Sequence, residues 1–346
     1  MAARQAKLSG LCGLALCVAF AMAPAPALAT SLQQPWSVCV SMDADAGDRV
    51  ADCSAVIESG QAKGRQLAYA YVSRGRALDK LDNLPGAIAD YGAALRLDPG
   101  SVSAYYSRAL ALIGRDDHQN ALADLNRAIA LSPKVAQFYR DRARVFIKLN
   151  DYARALADHD IAVRLAPGDA YGFTARGNAK LDSGDHAGAL ADYNDALRLK
   201  PDDAFARENR AYAYFNARDY TRAAEDLTFI IDHEPTARLH VRRGFVHGLL
   251  GQHDRELDDY AQAIARDPGF IEAYQQRADS YLARNKFGLA VADLTKVIEL
   301  TPDDPRVWHA RAAAYKLMND TDKAAADESE AKQRERASFL RMIGTR

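Results

Sequence analysis

The stretch AYGFTARGNAKLDSGDHAGALADYNDALRLKPDD (residues 170–203) recurs, with substitutions, along most of this chain. Seven prolines mark the recurrence, at intervals of 34 residues in five cases and 33 in one. They are Pro99, Pro133, Pro167, Pro201, Pro235, Pro268 and Pro302. A fixed period of this length is typical of a solenoid, in which each unit packs only against its neighbours. The period therefore decides the fold before any local motif is considered.

Each repeat has the pattern of two helices. In its first half, a large, a small and a large residue recur at spacings of four and three, as in Tyr71, Gly75 and Leu78. In its second half, the order is alanine, large residue, alanine, as in residues 189–196. Both spacings place their three residues on one helical face, and proline follows where the second helix must stop. Each repeat is therefore predicted to contain a helix A and a helix B.

This arrangement resembles the tetratricopeptide repeat (TPR) family. The resemblance implies an all-α, right-handed α-solenoid of about eight helix pairs, with helix A lining the concave face. Residues 51–57 resemble a lone helix B, which makes an N-terminal half-repeat, and the last repeat runs on as a charged capping helix. The predicted boundaries are a signal peptide (1–29), a disulfide-stapled half-repeat (30–67), repeats 1 to 8 (68–101, 102–135, 136–169, 170–203, 204–236, 237–270, 271–304, 305–337) and a C-terminal tail (338–346).

Residues 1–29 have the three parts of a secretory signal peptide. Arg4 and Lys7 precede an uncharged apolar stretch, and Ala27 and Ala29 occupy the two positions that a signal peptidase reads. The apolar stretch is shorter than the roughly 20 residues that a membrane span needs. We therefore expect cleavage after Ala29 and no membrane span in the remaining chain.

Two of the four cysteines, Cys39 and Cys53, lie beyond the predicted cleavage site. In an exported chain, such a pair is most simply a disulfide. The bond would close a short loop at the point where the repeats begin. The sequence thus predicts a periplasmic or secreted protein that resembles exported bacterial TPR proteins.

The composition excludes several classes of function. The chain has 45 basic and 46 acidic residues, a balance that provides no global field for nucleic acid. Apolar residues, at 49%, are too frequent for a disordered chain. We find no phosphate-binding loop, metal-ligand spacing or nucleophile motif. The prediction is a protein without catalytic activity, cofactor or nucleic-acid partner.

Two charged positions are constant in all eight repeats. An arginine precedes the small residue of helix A, and an aspartate precedes the large residue of helix B. We expect these residues to pair within or between successive repeats as an Arg–Asp ladder; a basic stripe for an acidic ligand is the alternative. The ladder residues are Arg74, Asp90, Arg108, Asp124, Arg142, Asp158, Arg176, Asp192, Arg210, Asp226, Arg243, Asp259, Arg277, Asp293, Arg311 and Asp327.

Repeat 6 departs from the pattern at three core positions. His240 and His247 occupy both large-residue positions of its helix A, and Glu256 occupies a small-residue position of its helix B. The three residues could form a buried cluster. Such a cluster is either a hydrogen-bonded packing variant or a metal-binding or pH-sensitive site.

Helix-A positions on the concave face vary between repeats, and the TPR resemblance implies that they bind a partner. Arg140, Arg144 and Tyr212 are such positions, and arginine and tyrosine are common at interfaces. Chaperone-tail-binding TPR proteins also clamp a C-terminal carboxylate with five side chains. The corresponding positions here are Thr174, Asn178, Asn209, Arg238 and Arg242. Thr174 departs from the lysine of that clamp, which removes one positive charge.

The sequence therefore predicts an exported scaffold or adaptor that binds a protein or peptide partner, with an acidic or C-terminal tail as one candidate. Two alternatives stay open. The protein could be an envelope carrier or assembly factor for an anionic glycan or another non-protein ligand. It could also be the regulatory subunit of an envelope enzyme.

Overall fold

The computed structural model describes residues 33–41 and 43–343, so the predicted signal peptide lies outside the described residues. Every secondary-structure element in these two ranges is an α-helix. The chain divides into two compact units between Ser132 and Pro133. No described helix is long and apolar enough to cross a membrane.

The first unit is a stack of three helix pairs. Its helices are α1 (Gln33–Val40), α2 (Ala46–Glu58), α3 (Gly64–Lys80), α4 (Leu84–Leu97), α5 (Val102–Gly114) and α6 (His118–Leu131). Helix α1 packs against α2 and α3. The segment before repeat 1 thus holds a helix pair, where the sequence predicted a lone helix B at residues 51–57. Helix α1 does not carry the repeat pattern, so the period could not place it.

A disulfide ties this first pair together. It joins Cys39 of α1 to Cys53 of α2, and both cysteines are buried beside Val56. Ser73 of α3 donates a hydrogen bond to the Cys39 carbonyl. The disulfide therefore holds α1 against α2 at the end of the stack, where terminal repeats otherwise fray.

The second unit is a stack of six helix pairs. Its helices are α7 (Ala136–Lys148), α8 (Tyr152–Leu165), α9 (Ala170–Asp182), α10 (His186–Leu199), α11 (Ala204–Asn216), α12 (Tyr220–His233), α13 (Ala237–Leu249), α14 (His253–Arg266), α15 (Ile271–Ala283), α16 (Phe287–Leu300), α17 (Pro305–Leu317) and α18 (Thr321–Ile343). Each helix packs against the next, which is the paired packing of an α-solenoid. Helix α18 continues to Ile343, so residues 338–343 of the predicted tail are helical.

The turn between helix A and helix B has one left-handed residue in every repeat. These residues are Asp82, Asp116, Asn150, Gly184, Arg218, Gly251, Asn285 and Asn319, with φ between 58° and 87°. Asparagine, aspartate and glycine tolerate this conformation best, which explains their prevalence. Most helices B then begin on a side-chain cap, such as Asp185, which accepts a hydrogen bond from the Gly188 amide at 2.9 Å.

The small residue of helix A matches the large residue of helix B in the same repeat. Glycine faces tyrosine in three repeats, at Gly75 with Tyr91, Gly177 with Tyr193, and Gly244 with Tyr260. Alanine stands opposite a smaller or narrower side chain in the other repeats. A Cβ atom added at residue 177 would lie 2.8 Å from the Tyr193 ring. The glycine is therefore required by close helix packing.

This complementarity predicts the outcome of a double-mutant cycle. We expect Gly177→Ala to destabilise the wild-type chain by about 1–3 kcal/mol, because the methyl group overpacks the Tyr193 ring. In a Tyr193→Leu background, the same change should be neutral or stabilising, since it recreates the Ala211–Leu227 pair of repeat 5. Denaturant unfolding of the four chains measures the coupling. Equal costs of Gly177→Ala in both backgrounds would show that the pairing has no energetic role.

Candidate functional site

The Arg–Asp ladder pairs form within repeats, between helix A and helix B. Arg142 of α7, for example, donates from Nε and Nη2 to the two oxygens of Asp158 of α8, both at 2.7 Å. All eight aspartates are buried, and the side chains of the eight arginines are between 14% and 27% exposed. The hydrogen bond to Asp158 raises the pKa of the Arg142 guanidinium. Such bidentate pairs are among the strongest that these side chains form.

Several ladder arginines also reach the preceding repeat. Arg176 donates from Nη1 to Asp160 at 2.9 Å, and Arg210 donates from the equivalent nitrogen to Asn194 at 2.7 Å. The arginines therefore link successive helix pairs as well as the two helices of one repeat. Because these guanidinium groups already have internal partners, the geometry favours a structural ladder over a basic stripe for a ligand.

The predicted cluster of repeat 6 is arranged differently from the expectation. His240 and His247 both approach Asp259, with Nδ1–oxygen distances of 3.1 and 3.0 Å, whereas Glu256 pairs with Arg284 and His253. This corrects the grouping of the two histidines with Glu256. Within residues 33–41 and 43–343, no group of three or more histidine, cysteine, aspartate or glutamate side chains is placed to hold a metal ion.

The histidines instead take the place of aromatic rings. In repeat 3, Arg142 lies between the rings of Tyr139 and Phe146, at 5.6 and 5.9 Å from their centroids. His240 and His247 stand at the same offsets from Arg243. Arg266 donates to His240 Nε2 at 3.2 Å, so the His240 Nδ1 carries the proton that binds Asp259. Burial lowers the pKa of His247, against the opposing effect of Asp259.

A groove lies on the helix-A side of repeats 5 to 7. This helix-A groove is bounded by Tyr212 and Phe215 of α11, Arg242 and Phe245 of α13, and Glu272 and Gln276 of α15. Its volume is about 340 Å³, within the range of ligand-binding clefts. Buried Leu227, Val241 and Val246 form its apolar base.

Aromatic side chains stand open to solvent in this groove. Tyr212 is 58% and Phe245 is 42% exposed, and the Phe215 and Phe245 ring centroids are 6.0 Å apart. Single exposed aromatic residues are common on protein surfaces, but a cluster around a cleft is typical of an interaction site. The polar groups of Glu208, Arg242 and Gln276 surround this apolar surface.

Comparison with known families identifies the repeat. Models described as "Tetratricopeptide repeat" or "TPR repeat" match residues 72–136, 111–170 and 208–269, then 177–217, and finally 271–304. Together these matches extend through most of the repeat region and agree with its period. The chain belongs to the tetratricopeptide repeat family.

Solved TPR structures share the fold. PilW, described as a widely conserved type IV pilus biogenesis factor, is 18% identical, with a TM-score of 0.54, covering 61% of this chain and 98% of that one. A TPR protein from Parabacteroides merdae is 16% identical, with a TM-score of 0.53, covering 75% and 98%. PilF of Pseudomonas aeruginosa is 20% identical, with a TM-score of 0.52, covering 63% and 100%.

Two sequence relatives match a short part of the chain. Sperm-associated antigen 1 of Rattus norvegicus is 37% identical over 70 residues, which is 20% of this chain and 8% of that protein. The protein of Mus musculus with the same name is 36% identical over 70 residues. The match thus spans about 8% of the length of these relatives.

The five positions of the TPR carboxylate clamp do not form a free cationic site. Thr174 is buried and donates to the Ala170 carbonyl at 3.1 Å, and Asn178 accepts from the Tyr193 hydroxyl at 2.7 Å. Arg238 and Arg242 both pair with one oxygen of Glu208, and Asn209 is half-buried. Residue types alone could not reveal Glu208 as an internal partner of both arginines.

The remaining predicted binding residues differ in their availability. Tyr212 lines the helix-A groove. Arg140 pairs with Asp169 and lies 5.7 Å from the Tyr171 ring centroid, and exposed Arg144 pairs with Asp141 at 3.4 Å. Arg140 and Arg144 therefore both have ion-pair partners within repeat 3.

Sequence reasoning missed most of the groove. Phe245 lies in the same register as Tyr212, eight residues after the start of its repeat. Two aromatic residues at one variable helix-A position in successive repeats were the signal that could have found it. Phe215 and Glu272 carry no such signal, because their roles depend on the packing of three helices.

Proposed function

We propose that this TPR protein is an exported scaffold that binds a protein segment in the helix-A groove. TPR repeats form interaction scaffolds, and the observation that carries the proposal is the exposed pair Tyr212 and Phe245 on a defined cleft. Aromatic residues in a pocket dominate the energy of many interfaces. The protein has no catalytic part in this proposal.

An extended peptide fits the spacing of the helices. Helix α13 contacts α15, and α11 contacts α9, so the helices A of this unit run beside one another. Packed helix axes are about 8–10 Å apart, and an extended chain advances about 3.3 Å per residue. One step from helix to helix therefore corresponds to about three residues of a peptide that crosses the groove.

The confined groove favours a peptide over an anionic glycan. A glycan carrier would be expected to present a continuous track of free arginine and tyrosine side chains. Arg140, Arg238 and Arg242 instead pair with carboxylates of the chain itself. The apolar base of the groove suits a hydrophobic side chain better than a sugar.

Export is part of the proposal. The pattern of residues 1–29 supports it, and the Cys39–Cys53 disulfide supports it further, because disulfides persist in oxidising compartments. A periplasmic location in a bacterial envelope accounts for both features.

Photo-crosslinking in the producing cells tests this proposal. A photoreactive amino acid at position 212 should capture one discrete polypeptide in the exported fraction, on a chain that begins at Thr30. Phe205 provides the matched control, since it is 54% exposed on the same helix but does not line the groove. Equal capture from positions 205 and 212, or products confined to the cytoplasm with an intact N-terminus, would contradict the proposal.

A further inference from the structure

We propose that the segment bound in the helix-A groove carries an apolar anchor and, about three residues away, a lysine or arginine that pairs with one of two carboxylates on α15, Glu272 or Asp279. This inference rests on the proposed function, since it specifies the chemistry of the same ligand. It assigns the groove to a basic-hydrophobic peptide rather than to an acidic tail.

The charges around the groove are unequal. Among the charged side chains that line it, Arg242 stands against two carboxylates, Glu208 and Glu272, and Arg238 and Asp279 lie on α13 and α15 outside the lining. Both arginines pair with Glu208, whereas Glu272 and Asp279 form no ion pair within the described part of the chain. The unsatisfied charge at the α15 end is thus negative, and it complements a cation on the ligand.

Glu272 and Asp279 lie on one face of α15, and Glu272 lines the groove. Glu272, Gln276 and Asp279 are at spacings of four and three, which places them on one helical face, and the first two line the groove. Asp279 also stands eight residues after the start of its repeat, in the register of Tyr212 and Phe245. The equivalent positions on α11 and α13 therefore hold aromatic residues, and the one on α15 holds an acidic residue.

The surroundings of Asp279 add a second reason. Asp279 is exposed, yet desolvation by the atoms around its carboxyl raises its pKa. No cation in the described residues offsets that cost. A ligand ammonium or guanidinium group would supply the missing counter-charge.

The same geometry disfavours a ligand carboxylate. Arg242 would have to leave Glu208 in order to bind one, and Arg238 contacts the same Glu208 oxygen at 3.3 Å. Displacing Glu208 would leave it half-buried without a partner. A terminal carboxylate therefore gains little at this site.

Selection from a phage-displayed random dodecapeptide library on the full chain tests the inference. Enriched peptides should contain an aromatic or large aliphatic residue with a lysine or arginine two to four positions away. One such peptide is then titrated by calorimetry beside its Lys→Gln form. The loss of the cation should lower affinity at least about fivefold for the wild-type chain.

A double-mutant cycle locates the effect. In the E272Q/D279N variant, the Lys and Gln peptides should bind equally, whereas Glu225→Gln, an exposed change on α12 outside the groove, should leave the fivefold difference intact. Enriched acidic peptides, a requirement for a free C-terminus, or the same Lys→Gln effect in both chains would overturn the inference.

The proposed function can fail separately. The same selection is run on a Tyr212→Ala/Phe245→Ala chain. If every peptide enriched by the wild-type chain is also enriched by this variant, the peptides do not bind in the groove, and both the proposed function and this inference are overturned. If groove-dependent peptides are enriched without a basic residue, only the charge assignment is wrong.

Discussion

Asp192→Asn should lower the free energy of unfolding by about 3 kcal/mol, since breaking a buried ion pair costs about 3–5 kcal/mol. Asp192 is 2% exposed and binds Arg176 at 2.6 Å and Lys180 at 2.9 Å. The amide would remove the negative charge and turn an NH₂ group toward one of these cations. The low end of the range applies because Arg176 remains 17% exposed and keeps Asp160 as a partner.

Asp195→Asn is the matched control, because it removes the same charge from the same helix. Asp195 is 43% exposed and pairs with Arg198, which is 70% exposed. Such surface pairs contribute about 0–1 kcal/mol, so this variant should unfold almost as the wild type does. Denaturant unfolding followed by circular dichroism compares the three chains. If Asp192→Asn unfolded like Asp195→Asn, the ladder would have no role in stability.

A double substitution tests whether these buried positions need a charged pair or accept apolar side chains equally well. Many TPR proteins carry apolar residues at both ladder positions. Replacing Arg176 and Asp192 together by Met and Leu removes both charges, and it should recover part of the stability that Asp192→Asn loses. If the double variant were no more stable than Asp192→Asn, the site would require the charges themselves, because Lys180 pairs with Asp192 and Asp160 pairs with Arg176.

His159 should make the chain sensitive to acid. It takes the large-residue position of helix B in repeat 3, where repeats 2, 5 and 7 have Leu125, Leu227 and Leu294. The side chain is 3% exposed, and its Nδ1 has no hydrogen-bond partner in the described residues. Burial, with the charges of Arg140 and Arg176, lowers the pKa of His159 from 6.5 to about 4.

The sign follows from the lowered pKa. The folded state favours the neutral ring. The contribution of His159 to the free energy of unfolding is therefore complete above its unfolded pKa of 6.5, and it is lost as the pH falls toward 4. With these two values, the loss from this one group is about 2 kcal/mol at pH 5 and about 3 kcal/mol at pH 4.

His159→Leu should remove that part of the pH dependence. We expect the difference in unfolding free energy between this variant and the wild type to grow by about 2 kcal/mol from pH 7.5 to pH 5. His186→Gln, an exposed change on α10, should leave the slope of the wild type unchanged. If the difference in unfolding free energy between the wild type and His159→Leu stayed constant with pH, protonation of His159 would not be coupled to folding.

The helices of the repeats could be predicted from the sequence because the same residue pattern occurs in every repeat. The offsets that define helix A, helix B and the ladder recur eight times, and a spacing of 16 residues between Arg142 and Asp158 crosses a turn of constant length. Helix α1 was missed since it occurs once and has no repeat pattern. Likewise, only the structure shows that glycine is reserved for the repeats in which tyrosine faces it.

The candidate site was predictable only in part, for a physical reason. Tyr212 and Arg242 were recognised as variable helix-A positions, but binding depends on which charges neighbouring repeats bring together. Glu208 lies 34 residues before Arg242 and neutralises it, so four matching residue types in a clamp pattern did not make a clamp. In repeat 6, Asp259 rather than Glu256 proved to be the partner of both histidines.

Titration of the captured partner segment is the most direct test of binding in the helix-A groove. Calorimetry should give the same affinity for the wild type and Phe205→Ala, because Phe205 lies outside the groove. The Tyr212→Ala/Phe245→Ala chain should bind at least about 30-fold more weakly, as expected when hot-spot aromatic residues are truncated. Equal affinity for all three chains would contradict the account, since the partner would then bind elsewhere on the repeats.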